Sequence, residues 1–197
     1  ADGQRSSDID EKALYKRDPY SSTPDVKPYL PCPPPAKEGS LDKGINLSDI
    51  IDLTEQLTPD GRLGWYVPPG KWTVLRFGRR NNGSNTRPAP LPGLGFECDK
   101  FDPAALDAHF EASISKLIRA IGPRKAGRET GWNMLHIDSW EMGAQNWTDG
   151  FDREFKRRRG YDPLPYLPAM TGRVVASVEI SERFLWDLRL TCQELVI

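Results

Sequence analysis

The stretch that most constrains this chain is a short apolar run that breaks off into acid. Met134, Leu135, His136 and Ile137 are followed by Asp138, Ser139, Trp140 and Glu141, and then by Gln145, Asn146, Trp147 and Thr148. An apolar run this short between turn-prone neighbours reads as a buried strand. Two carboxylates, Asp138 and Glu141, sit at its end, with Trp140 and Trp147 bracketing the second. In α/β folds, ligands gather outside the carboxyl ends of the strands. An acid beside aromatic platforms suits a polar, ring-shaped substrate such as a sugar. The same residues also read as a strand-to-helix turn with Asp138 as its N-cap, and the residues alone leave both readings open.

The elements around that stretch have their own signatures. Residues 1–43 are polar and proline-rich, with Pro31-Cys32-Pro33-Pro34-Pro35 near the end, and show no apolar periodicity. They read as an extended or disordered segment. Residues 44–94 read as a small β-rich element and loop. Leu63-Gly64-Trp65-Tyr66-Val67 and Lys71-Trp72-Thr73-Val74-Leu75-Arg76-Phe77-Gly78 are strand-like, and the Pro68-Pro69-Gly70 turn between them predicts an antiparallel β-hairpin or meander. Trp65 and Trp72 read as core aromatics.

Residues 95–197 alternate strand and helix. Phe96 to Lys100 reads as a short strand. Asp102 as N-cap and Pro103 at the first helical position open a helix whose apolar face is Leu106, Phe110, Ile114, Leu117, Ile118 and Ile121. Gly122-Pro123 ends it. Residues 149–159 read as a helix closed by a left-handed cap at Gly160. A helical turn over 166–170 is broken at Gly172. Phe184, Leu185, Leu188, Cys192 and Leu195 mark a last amphipathic helix from about Ser181, and that helix stops without a cap. The expected fold class is α/β: a partial, truncated (β/α)8 TIM-type barrel preceded by a small antiparallel β element.

The chain's 197 residues are enough for one domain with a sizeable core. The net charge is −1, with acids and bases interspersed, which argues against nucleic-acid or membrane-surface binding by bulk charge. The basic run Lys156-Arg157-Arg158-Arg159 reads as a solvated helix face, and Glu182 and Glu194 as surface charges. No stretch has the length of a transmembrane span, and no signal peptide is visible. Cys32, Cys98 and Cys192 fit no zinc spacing. One disulfide with one free thiol, or three reduced thiols, are both open. Asn46-Leu47-Ser48, Asn82-Gly83-Ser84 and Asn146-Trp147-Thr148 are glycosylation acceptor triplets of the kind that arise by chance.

Several segments, in order, carry a family resemblance. The run from Trp65 to Gly78 resembles a recurring segment of the large α-L-rhamnosidases of glycoside hydrolase family 106. So do Gly95-Phe96-Glu97-Cys98-Asp99-Lys100, His136-Ile137-Asp138-Ser139-Trp140-Glu141, Gln145-Asn146-Trp147-Thr148, Phe155 with Arg158-Arg159-Gly160-Tyr161-Asp162, and Ser181 to Asp187. The resemblance covers about Ile45 to the C-terminus. It implies a (β/α)8 catalytic domain in a longer, secreted or periplasmic protein. It further implies hydrolysis of terminal α-L-rhamnosides with inversion, and a calcium ion near the site. The partners implied are a rhamnose-containing oligosaccharide, polysaccharide or glycoside and the remainder of the parent polypeptide.

Inverting hydrolysis needs one carboxylic acid to protonate the departing oxygen and one carboxylate to activate water, about 6.5–9.5 Å apart. Glu141 matches the glutamate of the family's Asp-Ser-Trp-Glu motif and is the expected general acid. Trp140 and Trp147 are apolar neighbours able to raise its pKa. Asp138, Trp140, Asn146, Trp147 and Asp99 are the expected substrate-binding residues. The resemblance implies that the partner carboxylates lie well C-terminal of the motif, so the base and most calcium ligands are expected outside this chain, and the isolated chain is expected to be inactive or nearly so and prone to self-association. The alternative is a non-catalytic carbohydrate-binding module using Trp65, Trp72, Trp140 and Trp147 as stacking platforms. A purely structural domain is the third possibility.

Overall fold

A computed structural model describes residues 6–15, 44–86, 89–129, 131–134, 136 and 144–196. Asp138, Trp140, Glu141 and Cys32 lie outside the described residues, as do Leu135 and Ile137 of the apolar run. Met134 and His136 of that run are described and exposed.

Five α-helices are formed among the described residues: α1 (Ile9–Lys12), α2 (Pro103–Ala112), α3 (Ile114–Ile121), α4 (Phe151–Arg159) and α5 (Val178–Val196). A 3₁₀ helix, Leu164–Thr171, links α4 to α5, and three single 3₁₀ turns lie at Leu47–Asp49, Thr54–Gln56 and Leu91–Gly93.

The core is built from residues 144 onward, residues 6–15 and Phe101. α5 turns Ser181, Phe184, Leu185, Leu188 and Cys192 inward, a spacing that keeps one helix face continuous. Against them pack Phe151 and Phe155 of α4, Ala169 and Met170 of the 3₁₀ helix, and Val175. Burying a side chain the size of Phe or Leu is worth about 1.5–3 kcal/mol, so this set outweighs anything in residues 44–134. Phe155 stands at the centre of an aromatic chain, 5.1 Å from Tyr161 and 5.7 Å from Phe184 between ring centroids. Ile9, Ala13 and Leu14 close the cluster from the other side. Their segment is tied down by the Lys12–Glu182 ion pair at 2.8 Å and by the Arg189 guanidinium donating to the Lys12 carbonyl at 2.8 Å.

The helix ends follow their sequence signals. Asp102 accepts the Ala104 N–H at the start of α2, with Pro103 at the first helical position. Gly160 caps α4 in the left-handed conformation (φ 81°, ψ 5°), and its N–H bonds to the Lys156 carbonyl. Gly172 ends the 3₁₀ helix in the same way. Ser177 accepts the Ile180 N–H on its hydroxyl, 3.1 Å, just before α5 begins.

Among the described residues, the expected α/β barrel fragment and its antiparallel β element are not formed. The described residues are helix-rich and contain no strand and no sheet, only isolated bridges such as Leu57 with Leu63 and Ile45 with Val175. The reason is that aromatic and β-branched composition reports a fit to a pleated, half-buried surface, not a strand in itself. Pairing requires a partner, and Pro68 and Pro69 supply no N–H to a ladder. Around that turn the contacts are made by the tryptophan side chains: the Trp72 indole donates to the Pro68 backbone carbonyl at 2.9 Å, and Trp65 meets Trp72 edge to face at 5.3 Å. Neither tryptophan joins the core, and Trp72 is 40% exposed.

Two smaller expectations also change. The helix predicted over 103–121 is two helices, broken at Ser113 (φ −125°, ψ −71°), whose hydroxyl bonds back to the His109 carbonyl. Serine at such a position competes with the helix for its own carbonyls. The basic run on α4 is only half solvated, because Arg158 and Arg159 both pair with Glu194 and Arg159 also donates to the Thr191 hydroxyl. Glu182 and Glu194 are therefore partnered helix-to-helix contacts, not free surface charges.

Candidate functional site

Gln145 and Thr148, from the segment that follows the acid stretch, both bond to Asp99. This residue lies in the turn before α2, a turn held by the Glu97–Lys100 ion pair at 2.9 Å and by the buried ring of Phe101. Asp99 Oδ1 accepts the Phe101 N–H at 2.9 Å, an Asx-type turn that fixes the carboxylate's orientation. The segment leaving the acid stretch meets it from the other side. Gln145 Nε2 donates to Asp99 Oδ1 at 2.5 Å, and Thr148 Oγ1 donates to Asp99 Oδ2 at 2.6 Å.

The same segment is anchored at three further points. The Asn146 amide donates to the Ala13 carbonyl at 2.7 Å. Trp147 lies against Phe151, with centroids 4.6 Å apart, so one face of its ring is spent on the core. Asp149 pairs with Arg79 at 2.5 Å. That hydrogen bond raises the Arg79 pKa, and the negative charge of Asp99 adds to the effect. Arg79, Asp99, Gln145, Thr148 and Asp149 thus join three segments that are distant in sequence. Ala144, the first described residue after Glu141, is buried.

Of the expected site residues, Asp99, Asn146 and Trp147 are described, and the structure brings all three to this one segment. Asp138, Trp140 and Glu141 lie outside the described residues. Gln145 and Thr148, the partners of Asp99, stood in the stretch and in the family segment but were not among the expected site residues. No spacing rule could have paired them with a residue 46 and 49 positions away. Thr148 is also the third member of an acceptor triplet, and both its hydroxyl and the Asn146 amide have internal partners.

Among the described residues no group of three or more His, Cys, Asp or Glu side chains is placed to hold a metal ion. The calcium ion implied by resemblance finds no ligand set there, and no step is routed through it. Cys98 and Cys192 are both free thiols. No helix of the described residues is long and apolar enough to cross a membrane.

The comparisons with known proteins narrow the class first. The solved structure of a rhamnosidase from Novosphingobium sp. PP1Y is 34% identical and superposes with a TM-score of 0.63, covering 79% of this chain. A protein of Formosa agariphila named "Putative beta-glucuronidase" is 40% identical over 189 residues, 96% of this chain. Both names belong to sugar-cleaving enzymes. The family model for α-L-rhamnosidases, glycoside hydrolase family 106, matches residues 8–197, and the chain belongs to that family. It spans 15% of the length of each of the two relatives.

Proposed function

We propose that this chain is part of the catalytic region of an inverting α-L-rhamnosidase, with Glu141 as the general acid and the base supplied from outside residues 1–197. The family match over residues 8–197 carries the reading, and the rhamnosidase from Novosphingobium supports it. Glu141 would give its proton to the glycosidic oxygen as the bond to the anomeric carbon breaks. The second carboxylate would take a proton from the water that attacks the opposite face. Gln145, Asn146, Trp147 and Thr148 follow Glu141 closely and are held at several points, which favours a fixed acid. Calcium and a secreted or periplasmic location remain part of the same proposal.

The test uses the parent polypeptide and an aryl α-L-rhamnoside. The unaltered protein is expected to release the aryl alcohol, and Glu141→Gln to lower kcat by about 10²–10⁴-fold. Proton NMR of the first-formed sugar is expected to show the β anomer. Absence of rhamnoside cleavage, or an unimpaired Glu141→Gln, overturns the reading. The name of the Formosa relative favours a second reading, cleavage of β-glucuronides. The same assay with an aryl β-D-glucuronide separates the two, because the substrates differ in the charged carboxylate at C5.

A further inference from the structure

We propose that Asp99 is a positioning residue for the general acid: it fixes the segment that leaves Glu141 and leaves substrate contact to other groups. This rests on the reading of Glu141 as proton donor and deepens it.

Three donors already occupy the Asp99 carboxylate. Oδ1 receives the Phe101 N–H and the Gln145 amide, and Oδ2 receives the Thr148 hydroxyl. A carboxylate offers about four lone-pair sites, so little capacity is left for sugar hydroxyls. The platform under Asp99 is firm, because Phe101 is 3% exposed and Asp102 caps α2. The groups it holds are firm too, because Thr148 is 4% exposed and lies three residues before the fully buried Phe151. Arg79 and Asp149 make a second tie beside it.

Chain geometry links the clasp to the acid. Gln145 follows Glu141 by four residues, and four residues of chain reach at most about 14 Å. A proton donor is sensitive on a much finer scale, since a displacement of about 1 Å can cost about 10²-fold in rate. Asp99→Ala removes both hydrogen bonds that hold Gln145 and Thr148.

A loosened acid leaves a signature that a merely weakened fold does not. Alkyl alcohols leave only when protonated, whereas dinitrophenolate leaves without help. In the parent polypeptide, Glu141→Gln defines the signature: a large loss on an alkyl α-L-rhamnoside and a small one on 2,4-dinitrophenyl α-L-rhamnoside. Asp99→Ala and Thr148→Val are expected to reproduce it, losing at least about tenfold more kcat on the alkyl substrate than on the activated one, with KM little changed. Thr148→Val keeps the side-chain shape, and Thr148→Ser, which restores the hydroxyl, is expected to recover most of the loss. Equal losses on both substrates, or a raised KM with kcat intact, overturn the positioning role. If Glu141→Gln shows the signature and the clasp variants do not, only the positioning role fails. If the unaltered protein cleaves no rhamnoside, or Glu141→Gln lacks the signature, the assignment of the acid fails and the positioning role fails with it.

Discussion

At the residue scale, the most informative side chain outside the clasp is Asp187. It lies on the inner face of α5 and is almost wholly buried, yet it is ionisable. Tyr161 donates its hydroxyl to Asp187 at 3.0 Å, and Arg183 donates to the same oxygen at 3.1 Å. Burial, and then the charge of Asp187, push the Tyr161 phenol well above its ordinary value of 10.0. The folded state therefore keeps that proton at pH values where the unfolded chain loses it. The resulting stability is fully present below pH 10 and is lost as pH rises beyond it. Urea denaturation as a function of pH is expected to show this loss, and Tyr161→Phe is expected to flatten it. The same variant should cost about 1 kcal/mol near neutrality through the missing hydrogen bond. An unchanged alkaline slope in Tyr161→Phe would place the titration elsewhere. Nothing in the local sequence distinguishes Asp187 from a surface acid. Its burial is set by Tyr161, on a connector 26 residues earlier.

At the scale of elements, the helix termini were legible and the strands were not. Gly160 is the clearest case. It caps α4 with a positive φ, and a Cβ there would meet no atom within 4 Å. Gly160→Ala therefore tests backbone conformation alone and is expected to cost about 1–2 kcal/mol, measured as a shift of the urea midpoint at constant m-value. The same change would be nearly neutral if the cap were unimportant. Gly160, Asp102 and Pro103 could be read because each acts on groups within four residues of itself. Trp65 and Trp72 could not be placed, because strand-like composition does not say which segment supplies the pairing groups. α2 and α3 show the same limit: Leu106, Leu117 and Ile121 read as one apolar helix face, whereas the helix breaks at Ser113 and all three residues are exposed.

At the scale of the whole molecule, the described residues divide by burial. Apart from Phe101, every residue of the core cluster comes from residues 6–15 or from 144 onward. Between residues 44 and 134, Tyr66 is 93% exposed, Phe96 67% and Met134 73%, so that region has few buried contacts to resist opening. Among the described residues, brief trypsin treatment of the isolated 197-residue chain is expected to cut at Arg62, Lys71 or Arg76 before it cuts in α4 or α5. The stretch from α4 to α5 should persist, with the products read by mass spectrometry. Early cleavage within α4 would contradict this.

By itself the sequence determined the family, the inward face of α5 and the capping of α2 and α4. Ordered motifs, helical periodicity and caps all depend on residues close together along the chain. Only the tertiary structure decided that the strand-like segments among the described residues carry no sheet, that Asp187 is buried and that Asp99 clasps Gln145 and Thr148. Each of these depends on which distant group arrives to share a hydrogen bond or exclude water, and no local pattern encodes that meeting. The acid stretch is where the two kinds of information join. Glu141 is named by its motif, while the anchoring of the residues that follow it comes from a carboxylate more than forty positions away.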